Sequence, residues 1–364
     1  MWGDIAIAFM IAFITAFVVT PYTIKLARKV GAVDRPKDER RINKRPMPRL
    51  GGLAVIAGFT VSTIYLLIIM SIEGSIDLNG EEAYGIKIVG FFIGAIILGI
   101  ICFIDDMKNV PALVKLAGQI LAAAVVVATG TRIDNVNIPF FQISELNEIF
   151  SIILTIGWIV GITNAINLID GLDGLSSGIT LIACLSLIII FSLNDSPLIA
   201  IILITALAGS LTGFLPFNFN PAKTFIGDTG SNFLGYCLAV ISILGIAKTY
   251  TAIVIVAPLI VLALPVFDTI WAIIRRVITG KSIKAIIKPD KGHLHHKLIA
   301  KGYTQKQAVF ILYGISATCG MFAIILLESG IFKAISFALM IIAAVAIGYK
   351  NIFRIKPKKK EEEN

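Results

Sequence analysis

The sequence predicts an all-α, polytopic transmembrane bundle of about eleven helices (ten or eleven), and three observations carry that prediction. The chain of 364 residues is 57% hydrophobic and only 15% charged, whereas soluble domains are nearer half apolar and a quarter charged. The apolar residues are gathered into blocks of roughly 20, the length that crosses a bilayer as a helix. The basic residues are confined almost wholly to alternate loops.

Eleven blocks can be drawn in order: 3–24, 50–71, 86–104, 112–129, 149–168, 175–193, 198–216, 232–247, 252–274, 308–327 and 331–349. The first lacks the basic flank and small-residue cleavage site of a signal peptide, so it reads as a permanent helix. The eighth is short. The ninth carries Pro258 and Pro265, each of which removes a helix donor, so that helix is expected to be broken. Residues 1–350 form one membrane domain, without a soluble domain or an internal repeat. Residues 351–364 form a solvated basic and acidic tail. Cys102, Cys184, Cys237 and Cys319 all lie inside apolar blocks and read as small buried hydrophobes.

Of the 32 Lys and Arg residues, 28 fall in loops on one side of the membrane and 4 on the other. Positive loops face the cytoplasm. This puts the N-terminus outside and the C-terminus in the cytoplasm, and supports an odd helix count. The net charge of +9 is thereby explained by topology and by contact with bilayer headgroups, and nucleic acid is excluded as a partner. The first inner loop, Lys25 to Arg49, holds Asp34-Arg-Pro36 and a Pro- and Gly-rich run from Arg45 to Gly52, both turn-forming. In the last inner loop, Ile283 to Lys288 either lies as an amphipathic helix on the membrane surface or is a solvated basic loop.

Four polar motifs sit at the inner helix ends. Asp105 and Asp106 close the third block, where a helix C-terminus disfavours carboxylates and ionisable groups near the bilayer are costly. A bound cation would relieve both costs; a hydrated helix stop explains the pair equally well. The next motif weighs more. Asn164, Asn167 and Asp170 follow i, i+3, i+6 on one helix face, and Asp173 follows after a glycine. Four such groups on an apolar segment need partners. The third motif places Asp228 in a glycine turn just before a helix begins, either as an N-cap or as a ligand for a hard cation. In the fourth, His293, His295 and His296, all the histidines of the chain, stand between Lys291 and Lys297. Phosphate binding suits this cluster better than zinc. Acidic groups suited to Mg²⁺ opposite a basic cluster are what phosphoryl transfer requires.

Phe103-Ile-Asp-Asp-Met-Lys-Asn109, Asn164 to Leu175, Phe225 to Ser231 and Pro289 to Leu298, in this order, resemble the polyprenyl-phosphate N-acetylhexosamine-1-phosphate transferases. The match runs from about Asp34 to Lys306. The His-Leu-His-His form and the Pro-Arg-Leu-Gly-Gly run around Arg49 resemble the bacterial undecaprenyl-phosphate GlcNAc-1-phosphate branch. That branch begins teichoic acid, O-antigen and related glycans. The branch acting on UDP-MurNAc-pentapeptide usually carries three consecutive histidines. The resemblance implies that a lipid phosphate attacks the β-phosphorus of UDP-GlcNAc and releases UMP, with Mg²⁺, or Mn²⁺ in its place, as cofactor. It implies Asp228 as the main metal ligand, with Asp170 beside it. It sets Asp105 and Asp106 at the lipid phosphate of undecaprenyl phosphate, one of them deprotonating or positioning it. Lys115, with Gln119 one turn on, would face that phosphate, and Arg49 would bind substrate. Asn164, Asn167, Asp170 and Asp173 would line the nucleotide and metal side, and His293, His295 and His296 would meet the diphosphate or sugar. Relatives also suggest a homodimer. One departure is plain: Arg40-Arg41-Ile42-Asn43 stands where relatives often carry a histidine. Asp268 fits the family pattern without an evident role, and could equally hold the broken ninth helix.

Two rival readings fit the sequence less well. A transporter would place broken-helix sites near the midplane in paired halves; here the motifs cluster at inner ends without two-fold repetition. A transferase using UDP-MurNAc-pentapeptide is disfavoured by the histidine pattern.

Overall fold

The computed structural model describes residues 2–35, 45–76, 78, 83–134, 146–246, 252–280 and 292–352. Each apolar block becomes helical: α1 (Trp2–Val30), α2 (Gly52–Ile72), α3 (Tyr84–Lys108), α4 (Ala112–Ala128), α5 (Glu148–Ile169), α6 (Leu175–Leu193), α7 (Leu198–Asn218) and α8 (Gly227–Ile246). The ninth block is broken as expected into α9 (Ala252–Val261) and α10 (Ala263–Gly280), with Pro258 inside α9 and Pro265 in the first turn of α10. The short α11 (Leu294–Ala300) follows, then α12 (Gln305–Ser329) and α13 (Ile331–Ile352). Two short strands, β1 (Val33–Asp34) and β2 (Met47–Pro48), pair antiparallel before α2.

Among the described residues, α1, α2, α3, α5, α6, α7 and α12 are each long and apolar enough to cross a membrane. The chain is a multi-pass helical membrane protein. The surface agrees: Ile7, Met10, Ile14, Phe17 and Val18 of α1 are exposed, an apolar face that water would not tolerate at this extent. Ile283 to Lys288, Pro289 to Lys291, Arg40 to Asn43 and most of the tail lie outside the described residues.

α7 is the hub, with 83% of its apolar span buried. It packs against α1, α2 and α6. Lipid is as apolar as leucine, so close van der Waals fit rather than the hydrophobic effect holds such helices together. The sequence supplies that fit with small residues. Ala8, Ala12 and Ala16 recur every fourth position on the buried face of α1. Opposite them, a Cβ at Gly209 or Gly213 of α7 would overlap the carbonyls of Phe9 or Phe13. α5 packs on α8, and α3 on both α4 and α8. These contacts bring the end of α3, the start of α4, the end of α5 and the start of α8 to one end of the bundle. The four cysteines are free; Cys102, Cys184 and Cys237 are buried and Cys319 is partly so.

One boundary differs from expectation. α8 starts at Gly227, five residues before the apolar block, so Asp228 lies in its first turn instead of in a preceding loop. Composition hid the start because the segment's donors are satisfied from another helix.

Candidate functional site at the acidic helix ends

Asp106 supplies those donors. Its Oδ1 accepts from the backbone N–H of Asp228 (2.9 Å), and its Oδ2 accepts from the N–H (2.9 Å) and hydroxyl (2.6 Å) of Thr229. A carboxylate misplaced at the negative end of α3 is thereby stabilised by the positive end of α8. Arg49 adds its guanidinium 3.4 Å from Asp106 and 3.7 Å from Asp228. The Asp106 side chain has no exposure, so its bonding capacity is spent on holding α8.

Asp105, one residue earlier, is committed differently. Oδ1 accepts from the backbone N–H of Val110 and Oδ2 from Lys115 Nζ at 2.9 Å. The same ammonium reaches Asp228 Oδ2 at 3.2 Å. One lysine of α4 therefore joins a carboxylate at the end of α3 to one at the start of α8. Asp105 is 5% exposed, whereas Lys115, Asp228 and Arg49 keep 24%, 23% and 26%. The reachable groups are the last three.

α5 completes this side. Asn167 donates to Asp228 Oδ1 (2.9 Å) and to the hydroxyl of Ser231 (2.8 Å). Asn164 exchanges hydrogen bonds with Gln119, which also donates to Asn232. Asp170 ends the helix and accepts from Ser176 Oγ at 2.6 Å. Removal from water, reinforced by the Asp228 charge and opposed by Ser176, pushes its carboxyl up to about 7. Asp173 turns away toward α7, where its Oδ2 accepts from Asn220 Nδ2 (2.9 Å) and Ala222 N (3.1 Å).

Arg49 is placed by backbone contacts. Phe225 N donates to the Pro48 carbonyl, Gly51 N to that of Phe225, and Gly52 N to that of Ile226. Gly227, at φ +72°, lets the chain turn under the Arg49 carbonyl. A Cβ at Gly52 would collide with Gly230. The glycines of the two motifs thus fit against each other, which only residues without a side chain permit.

The histidines form a second cluster. His293 Nδ1 lies 2.8 Å from Asp268 Oδ2, and the ring of His295 stacks on it with centroids 5.8 Å apart. His296 follows at 4.2 Å from His295. His295 Nε2 fills the space where Gly171 would carry a Cβ, so the cluster adjoins the Asp170 to Asp173 turn. Burial, with the neighbouring His296 and His293 charges, depresses the His295 pKa to about 3; this imidazole is neutral. Its Nδ1 has no hydrogen-bond partner among the described residues.

The structure thus brings Asp105, Asp106, Lys115, Asn164, Asn167, Asp228 and Arg49 into one network. It sets Asp170 at its edge, ties Asp173 to the 220–222 turn, and lays the histidines beside Gly171. Sequence reasoning assigned nothing to Thr229, Ser231, Asn232 and Ser176, although all four stand within or beside the quoted motifs. It also passed over Arg276, whose guanidinium lies 3.4 Å from His293 Nε2.

No group of three or more His, Cys, Asp or Glu side chains able to hold a metal occurs among the described residues. Mg²⁺, however, takes most of its ligands from water and phosphate oxygens and needs only one or two carboxylates. Asp105, Asp106 and Asp228 outnumber Lys115 and Arg49, leaving an acidic excess beside the partly exposed Asp228. The oxygen-rich set fits such an ion.

Fold and site together define a multi-pass membrane protein with one charge-dense centre at one end of its bundle. The profile of glycosyl transferase family 4 matches residues 88–246. A probable undecaprenyl-phosphate N-acetylglucosaminyl 1-phosphate transferase of Bacillus subtilis is 38% identical over 94% of this chain and 90% of its own length. A decaprenyl-phosphate N-acetylglucosaminephosphotransferase of Mycobacterium tuberculosis is 36% identical over 83% and 77%. A phospho-N-acetylmuramoyl-pentapeptide-transferase of Desulfitobacterium hafniense is 29% identical over 91% and 100%. The chain belongs to the polyprenyl-phosphate N-acetylhexosamine-1-phosphate transferases.

Proposed function

We propose that this protein transfers GlcNAc-1-phosphate from UDP-GlcNAc to undecaprenyl phosphate at the cytoplasmic face of the cell membrane, with Mg²⁺ as cofactor. A phosphate oxygen of the lipid bonds to the β-phosphorus of UDP-GlcNAc. The bond from that phosphorus to the bridging oxygen breaks, and UMP leaves with the electron pair. The products are undecaprenyl-diphosphate-GlcNAc and UMP. The observation that carries this reading is the Lys115 ammonium held between Asp105 and Asp228, with Arg49 beside it. Such a site offers cations for phosphate oxygens and an acidic excess for a metal. The GlcNAc donor is favoured by the name of the Bacillus subtilis relative. The 28-to-4 loop asymmetry favours the cytoplasmic face.

Each residue then has a task. Lys115 and Arg49 bind phosphate oxygens. Asp228, oriented by Asn167, holds the metal, which when bound neutralises charge on the diphosphate. A phosphate monoester has a second pKa of about 6, so the attacking oxygen is largely ionised near neutrality and needs placing more than deprotonating. Asp105 serves that by fixing Lys115. Asp106 fixes the start of α8 and hence Asp228. Asn164 and Asp170 line the nucleotide side, and the histidines flank the diphosphate.

Reconstituted protein given labelled UDP-GlcNAc, undecaprenyl phosphate and Mg²⁺ is expected to form a lipid-soluble labelled product, and EDTA to abolish it. Product from UDP-MurNAc-pentapeptide but none from UDP-GlcNAc would overturn the donor assignment.

A further inference from the structure

The elements that carry the histidines are held together by a residue to which the reaction gives no task. Asp268 lies in α10, 25 residues before His293. It is buried, as is His293. Its two oxygens are both used: Oδ2 meets His293 Nδ1 at 2.8 Å, and Oδ1 accepts from the Leu294 backbone N–H at 2.9 Å. Eight residues along the same helix, Arg276 Nη2 sits 3.4 Å from His293 Nε2. Arg275 Nη1 donates to the Gly292 carbonyl at 2.7 Å. α10 thus grips residues 292–294 at four points.

These partners dictate where the imidazole proton lies. An ionised carboxylate only accepts, and a guanidinium only donates. Nδ1 must therefore carry the hydrogen toward Asp268, and Nε2 must present its lone pair toward Arg276.

We propose that Asp268 is a positioning residue that holds His293 in the Nδ1–H tautomer and docks the start of α11 against α10, so that Nε2 accepts from Arg276 and holds that guanidinium beside the diphosphate. The last clause rests on the function proposed above; the tautomer does not. An asparagine cannot replace this carboxylate. The two donors sit on separate carboxylate oxygens, so in this geometry an amide offers its oxygen to one and its NH₂ to the other. With the oxygen on Leu294, its amide N–H faces Nδ1, forces the proton to Nε2, and turns that N–H against Arg276.

The chain has three histidines, so ¹⁵N-histidine labelling of the full-length protein in nanodiscs gives three imidazole spin systems. His293→Gln assigns the one of interest. The wild type is expected to show a protonated Nδ1 and a bare Nε2 at His293, with or without turnover. Asp268→Asn is expected to move the proton to Nε2 and to lower kcat about 10-fold or more, by analogy with carboxylates that orient metal-ligating histidines, with KM for UDP-GlcNAc changed far less. Asp268→Glu is expected to keep the wild-type tautomer and recover most of kcat. A wild-type His293 protonated at Nε2 overturns the proposal, whatever the variants do. So does an Asp268→Asn protein with unchanged kcat. If no donor supports turnover while the Nδ1–H tautomer is present, the proposed function fails and the positioning stands.

Discussion

The acidic network and the histidine cluster are built by opposite means. The acidic network draws on the ends of four long helices that are already packed together, and its opposite charges meet across α3, α4 and α8. The histidine cluster rides on a seven-residue helix, α11, too short to be stable alone. It is placed by its apolar face, Leu294, Leu298 and Ile299, against α12, and by Asp268, Arg275 and Arg276 of α10. One region gains its precision from long-helix packing and the other from polar ties to half of a broken helix. Substitutions at Asp268 should therefore disturb the histidines more than they disturb the acidic network.

The largest effect is expected at Asp228. Asp228→Asn removes the partly exposed carboxylate that joins Lys115, Arg49 and Asn167, and should lower turnover about 100-fold or more, the scale of losing one electrostatic element of a site. Asp134 pairs with Arg132 away from these helix ends, and Asp134→Asn should change turnover by no more than about twofold, as substitutions outside a site usually do. Equal losses in a UMP-release assay would misplace the site.

The motif interface comes next. Gly52→Ala drives a methyl into Gly230 and should cost about 1–3 kcal/mol in thermal or denaturant unfolding. Gly99 faces open space, and Gly99→Ala should leave stability unchanged or slightly raised.

The adjacent aspartates separate two roles. Asp106→Asn weakens the anchor of α8 and should cost about 1–3 kcal/mol of stability. Asp105→Asn should leave stability closer to wild type while turnover falls through the loosened Lys115. Indistinguishable unfolding profiles would break this division.

How far these roles were legible depends on range. The i, i+3, i+6 spacing of Asn164, Asn167 and Asp170 is local, and a helix turns it directly into a face. Pro258 and Pro265 announced the break between α9 and α10 for the same reason. The start of α8 was not legible, because Asp106 satisfies its donors from 122 residues away. The separate tasks of Asp105 and Asp106 were equally hidden, since two neighbours at a helix end point in different directions and only the fold says what each meets. The sequence leaves the role of Asp268 open, with support of the broken helix as one reading, because its partners 25 and 26 residues on lie beyond the end of its own helix.

The smallest effect is expected with pH. His295 has a folded pKa near 3 against about 6.5 when unfolded, so the folded state binds fewer protons between those values. The contribution of this group should be lost as pH falls below about 6.5, by at most about 1.4 kcal/mol per pH unit, while the raised carboxyl of Asp170 acts in the opposite sense. His295→Asn should remove this contribution, so its stability relative to wild type should rise as pH falls below about 6.5; a difference independent of pH would contradict the neutral assignment.

The central claim is that this charged end transfers a phosphosugar and not a sugar alone. Its most direct measurement is the nucleotide released as the lipid product forms from UDP-GlcNAc and undecaprenyl phosphate. UMP is expected in equal amount to the lipid-linked sugar, and both are expected to be lost on Asp228→Asn. Release of UDP instead would contradict the claim.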